Sequence, residues 1–372
     1  MSLIIRIDGK ESRSDGDLNS WLNNLRPELN NGSDILFAST SPDDTGPVIS
    51  IFFKKIGVLP NCTILYCSLQ ELTALPALPN CTMLHCNNNQ LTALPALPNC
   101  TILHCNNNQI KELPDIPACK MLNCSNNKLT SLPSLPNCVE TRCNNNLLTD
   151  VSALPNCKRL YCFENQLTVL PKLPNCTFLY CNNNQLTALS VLPACQILNC
   201  SDNKLTSLPE LLNCQQLHCN NNLLITLPAL PLCHYVICSN NKLTLLLALP
   251  KCQILDCSNN KLTALPALPQ CRRLTCHGNA YLHYTQAFAT RFRLDWPSPR
   301  LVQSAKDKAA LAVALNPSAK GRLTEGEASI PDFLVSGEQN SVKSFLGGNI
   351  PLKYMIDYTS NKSTHYPFLL NL

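Results

Sequence analysis

All 24 cysteines of this 372-residue chain fall on two combs, each with a tooth at every nineteenth position. One comb runs from Cys62 to Cys271 and the other from Cys67 to Cys276, with twelve teeth in each and no insertion or deletion between them. A strict period of this length constrains the fold more tightly than any composition does. Residues 59–286 must build one short unit twelve times, and each unit finds its core by stacking on its neighbours. One complete unit is LPNCTMLHCNNNQLTALPA, residues 78–96.

The unit follows LP-x-C-x-x-L-x-C-x-x-N-x-L-T-x-L-P-x, whose middle is LxxLxLxxNxL with cysteine in place of the first and third leucines. It resembles the leucine-rich repeat. With its LPxLP return it is similar to the short bacterial type, found in effectors that pathogens deliver into host cells. The resemblance covers residues 59–286. It implies a β-dominated α/β solenoid, a superhelix of twelve 19-residue coils with a parallel concave sheet and an extended, polyproline-like convex side. The sequence departs from the pattern twice: the unit is a residue shorter than the usual minimum of about 20, and cysteine replaces larger aliphatic side chains. A shortened coil has less interior to fill, and cysteine is smaller than leucine, so the two departures belong together.

The segment CxxLxC reads as a short strand with alternating faces. In residues 81–86, Leu84 and Cys86 point inward and Met83 and His85 outward. Leu91 and Leu94 close the core from the far side, where Pro95 and Pro98 impose extended backbone. Asparagine holds one position in every unit from Asn89 to Asn279, with Gln70 in its place in the first. An inward amide there can satisfy backbone groups of its own turn and of the neighbouring coil. The preceding Asn87 and Asn88 suit a turn that needs left-handed backbone.

The cysteines admit three readings. Within a unit the two are ~16 Å apart along extended chain, beyond bridging reach. Between units, parallel neighbours hold their Cβ atoms ~4.8 Å apart, wider than the ~3.5–4.5 Å a disulfide prefers. Zinc sites favour shorter paired spacings than CxxxxC, and His85 and His104 lie on the opposite strand face. The array is therefore expected to hold free thiols acting as small buried hydrophobes, with no metal and no cofactor. So many reduced thiols imply a reducing, cytosolic environment.

The outward positions vary from unit to unit and carry large side chains. Arg142, Arg159, Tyr161, Phe163, Phe178 and Tyr180 cluster over units five to seven, and Tyr235 stands further along. Tyr and Arg are common interface anchors, and a contiguous exposed patch marks an interaction site. Outward β positions also favour aromatics for their own sake, and self-association through the face is a further alternative. The expected function is a non-enzymatic scaffold that binds a partner protein, a host protein if the effector resemblance holds, as a monomer.

The flanks divide the chain into a capping region, 1–58, and a C-terminal cap helix with tail, 287–372. Within the first, LIIRI, ILFAST and VISIFF read as strands and DLNSWLNNLRPEL as a helix capped by Asp17. HGNAYLHYTQAFATRFRL reads as a helix closing the last coil, and SPRLVQSAKDKAALAVAL as an amphipathic helix. Some relatives of this repeat type carry a C-terminal ubiquitin-ligase domain with a catalytic cysteine. Here the last cysteine is Cys276, and His283 and His365 lack a recognisable nucleophile partner, which leaves an enzyme only as a lesser alternative, through an unrecognised C-terminal module. A net charge of +5 without a dense basic segment argues against nucleic acid. The chain has no run of 18 apolar residues, so no membrane span is expected, and its first residues lack a signal-peptide core.

Overall fold

The computed structural model describes residues 3–14, 17–39, 42–280, 282 and 290–292. The chain opens with β1 (Leu3–Ile7), β2 (Lys10–Arg13), α1 (Leu18–Asn31), β3 (Asp34–Ser39) and α2 (Pro42–Ile56). Twelve three-residue strands follow, from β4 (Ile64–Tyr66) to β15 (Arg273–Thr275), one in each unit and always at the same place in it. All fifteen belong to one sheet, in the order β15 down to β4, then β3, β1 and β2. From β3 to β15 the pairing is parallel. Equivalent positions face each other, as in Met83↔Ile102, Leu84↔Leu103 and His85↔His104. A period without insertions leaves no other register. The expected solenoid of 19-residue coils, with few helices and a parallel sheet, is the observed architecture.

The interior repeats as faithfully as the sequence. All 24 cysteines are buried and free. Leu65, Leu84 and Leu103 stack between the combs with no exposed surface, and Leu72, Leu91 and Ile110 close the coil opposite. The first comb also has a polar role that the sequence does not disclose. Each of its thiols donates to the carbonyl two residues on, as Cys81 Sγ to Met83 O (3.2 Å) and Cys100 Sγ to Ile102 O (3.2 Å). A leucine there could make no such contact.

Burial pushes the thiol of Cys81 up to about 11 and those of Cys62 and Cys100 to about 12, so they stay protonated near neutral pH. Two pairs behave differently because neighbouring thiols of the comb act on each other. Cys119 is raised and Cys138 lowered, and Cys233 is raised and Cys214 lowered.

The repeated asparagines knit coil to coil. Asn108 Nδ2 donates to Cys86 O and Cys105 O, both at 3.0 Å, while its Oδ1 accepts from Leu91 N at 2.9 Å. The same set recurs through Asn279. Gln70, in the first unit, differs: the strand before β4 is β3 of the N-terminal region rather than a repeat strand. The Gln70 Nε2 reaches Ser68 O and Leu69 O, and its Oε1 is buried without a partner. The residue before each asparagine takes left-handed backbone, as Asn88 at φ 56° and Asn107 at φ 57°. A further row, Asn80, Asn99, Asn137, Asn156, Asn175 and Asn213, donates to a proline carbonyl one coil earlier. The sequence reading passes over that row.

In the first region LIIRI, the described part of ILFAST and the helix after Asp17 are as expected. Asp17 Oδ2 accepts from Ser20 N at 3.3 Å at the helix start. VISIFF is not a strand: it lies inside α2. Its buried residues, Ile49, Phe52, Phe53 and Ile56, recur with helical spacing, and Phe37 meets Phe53 edge-on at 5.0 Å. β3 pairs with β4 in parallel (Asp34↔Ile64), so the sheet continues from this region into the repeats. At the other end Thr290–Phe292 is helical, and Arg291 donates to Leu268 O at 2.9 Å on the last coil. The remainder of the expected capping helix, the amphipathic helix and the tail lie outside the described residues.

Candidate functional site

The outward face of the parallel sheet is where the repetition stops. Alternation aims the first and third residues of each strand away from the core. Neighbours ~4.8 Å apart then stack on one another, so most of these side chains are half-buried rather than exposed as the sequence alone suggests.

The largest departure lies over β8 (Glu140–Arg142), β9 (Arg159–Tyr161) and β10 (Phe178–Tyr180). In β8, threonine replaces the central leucine. Thr141 is fully buried and its hydroxyl donates to Cys138 Sγ at 3.2 Å. Glu140, by its sequence position an exposed outward residue, is only 7% exposed. Its two carboxylate oxygens accept from Arg142 Nε at 2.8 Å and Arg159 Nη1 at 2.6 Å. The arginine side chains remain about half exposed, at 49% and 51%, and point charge into solvent. Arg142 lies over the ring of Tyr161, 4.9 Å from its centroid, and Tyr161 stacks on Tyr180 at 5.0 Å with 10° between planes. A guanidinium over an aromatic face gains from the ring's quadrupole. The guanidinium and the two rings thus form a continuous flat ladder held at one end by a buried carboxylate.

Of the seven residues singled out from the sequence, the structure joins Arg142, Arg159, Tyr161 and Tyr180 into this ladder. Phe178 sits on the same face, opposite Arg159 in register. Phe163 lies in the turn after β9, half-buried. It precedes Glu164, the one residue other than Asn or Asp at the left-handed position between Asn88 and Asn259. Tyr235, 37% exposed, begins β13 (Tyr235–Ile237), three strands beyond β10 and outside the cluster.

Two features escape a reading of the sequence. Glu140 links both arginines, one of them on the neighbouring strand, a contact visible only once register is known. A second ladder, Tyr66–His85–His104, has centroid distances of 4.9 and 4.5 Å. Desolvation lowers the pKa of both His85 and His104, favouring neutral rings. Among the described residues no three His, Cys, Asp or Glu side chains group to hold a metal. Also among them, no helix is long and apolar enough to cross a membrane.

Among solved structures, the chain is similar to YopM, a leucine-rich effector protein from Yersinia pestis. Identity is 27% and the TM-score 0.52, over 72% of this chain and 89% of that one. The fold is that of a leucine-rich repeat solenoid. YopM from Yersinia enterocolitica matches at 28% identity and TM-score 0.53, over 70% of this chain and 64% of that one. The functional domain of InlJ from Listeria monocytogenes, described as including a cysteine ladder, aligns at 20% identity and TM-score 0.47, over 70% of this chain and 68% of that one. No protein-family model and no curated protein matches the chain.

Proposed function

We propose that this leucine-rich repeat protein is a scaffold that binds a partner protein on the outward face of its sheet, with the surface over β8–β10 as the docking centre. The observation that carries the reading is the Arg142–Tyr161–Tyr180 ladder. It is a preassembled, half-exposed surface of the residue types that anchor interfaces, and its Arg142 end is fixed by Glu140. Rigid side chains lose little freedom on binding, which favours affinity. The likeness to YopM, an effector, supports a bacterial effector acting on a host protein. The buried, protonated thiols support a reducing compartment as its place of action.

The test is affinity capture from eukaryotic cell lysate with the full chain and with Tyr161→Ala/Tyr180→Ala. The expected result is a partner captured by the parent and lost by the double variant, with unchanged circular dichroism. A partner that binds both equally contradicts this site. A solution mass that rises with concentration in the parent and not in the variant replaces the host partner by a second copy of the chain.

A further inference from the structure

The two ladders on the outward face are one ladder with a rung missing. In the row formed by the last residue of each strand, Tyr66, His85 and His104 stack, and so do Arg142, Tyr161 and Tyr180. Between them stands Asn123, the last residue of β7 (Met121–Asn123), in register with His104 on one side and Arg142 on the other. Its short side chain turns back on its own chain, where Oδ1 accepts from Ser125 Oγ at 2.7 Å and Ser125 N at 3.3 Å.

The space it leaves is a cavity of about 170 Å³ lined by His104, Met121, Leu122, Asn123, Glu140 and Arg142. A cavity of about 150 Å³ is enough to accept benzene. His104 and Arg142 are two strand spacings apart, about 9.6 Å between backbones, and an aromatic ring stacks with centroid separations of about 4.5–7 Å. One ring therefore fits between them.

The geometry points to this slot as a binding site for a single aromatic side chain, inserted by the partner between the His104 imidazole and the free face of the Arg142 guanidinium. The inference rests on the reading of this face as a protein-binding surface and names what the partner must carry. Each wall suits a ring. Arg142 already lies over Tyr161 with one face and is oriented by Glu140, so its other face is presented without further ordering. Burial keeps the His104 ring toward its neutral form, and the nearby Arg142 charge acts in the same direction against the smaller opposing pull of the Glu140 carboxylate. Met121, 39% exposed, offers a thioether at the side, a favourable neighbour for an aromatic edge. An aliphatic side chain would fill the volume but gain nothing from the guanidinium.

The experiment uses the full chain, which has four methionines, labelled with ¹³C-methyl methionine. N-acetyl-tyrosinamide and N-acetyl-leucinamide are each titrated while the Met121 methyl resonance is followed. The expected result is a saturable upfield shift with the tyrosine probe, half-complete at millimolar concentration, and at least tenfold weaker binding of the leucine probe. Asn123→Tyr, which supplies the missing rung from the chain itself, is expected to abolish the shift. Arg142→Ala is expected to weaken it severalfold and serves as the check should Asn123→Tyr fail to fold. Equal binding of the two probes, or no saturable shift with the tyrosine probe, overturns the inference. Its failure is distinguishable from that of the wider reading. If the tyrosine probe binds but no protein is captured from lysate, the partner reading fails and the slot stands. If a protein is captured through Tyr161 and Tyr180 while the probe does not bind, the slot fails and the partner reading stands.

Discussion

The two faces of each strand obey opposite rules. Inward, the residue at each position barely changes across the repeats: cysteine, leucine, cysteine, and then asparagine at the turn. Outward, on the same three-residue strands, the row passes from His104 to Asn123, Arg142, Tyr161 and Tyr180 within four steps. The inward row is constrained because so short a coil has no volume to spare and each coil must fit two near-identical neighbours. The outward row meets solvent and is free to vary. Even the exception fits this division. The one coil that places a polar residue at its inward strand position, at Thr141, is the coil whose outward Glu140 and Arg142 open the charged ladder. Stability and recognition are separated by the pleat of the strand.

If the division holds, changes to the inward row should cost stability and leave binding intact in whatever remains folded. The largest expected effect is at the asparagine row. Asn184→Ala strips partners from Cys162 O, Cys181 O and Asn182 O and from Leu167 N. At about 1–3 kcal/mol for a buried group left unsatisfied, with some carbonyls retaining other partners, a loss of about 3 kcal/mol is expected in urea unfolding. A loss below about 0.5 kcal/mol would show that water replaces the amide. Next is Cys181→Leu, which restores the residue usual in longer repeats. It should overpack the shortened coil by about 1–3 kcal/mol, and a stabilised variant would break the link between short coils and small side chains.

The smallest effect concerns pH. His218 ends the outward row of its strand, and burial depresses its pKa. Below the unfolded value near about 6.5 the unfolded chain binds more protons than the folded one. This contribution is therefore complete above that pH and is lost as the pH falls toward the folded value. The urea midpoint should drop between about pH 7 and about pH 5, and His218→Gln should make that drop shallower. An unchanged slope removes His218 from the pH response.

Much of this is legible in the sequence because the period itself encodes register. Once Cys81 and Cys86 fix the inward face, Met83 and His85 must face outward, and the amide of Asn89 must reach the coil before it. The first region carries no period, and there VISIFF reads as a strand but folds as a helix. Its short apolar run satisfies strand alternation loosely, whereas Ile49, Phe52, Phe53 and Ile56 mark one helical face. At the site, the aromatic and basic cluster is visible as composition, but its connections are not. Glu140 holds Arg159, and Arg142 covers Tyr161, only across neighbouring strands one full repeat apart. Whether such neighbours pair or simply coexist depends on rotamers that a linear reading does not reach.

The division stands on an interior of closed, reduced thiols, and counting them tests it most directly. With no reductant present, a thiol reagent should titrate all 24 cysteines after denaturation and few before it. A count near zero in denaturant would mean that the coils are cross-linked. The inward row would then be a disulfide framework rather than a packed core, contradicting both the account of its stability and the reducing compartment inferred from it.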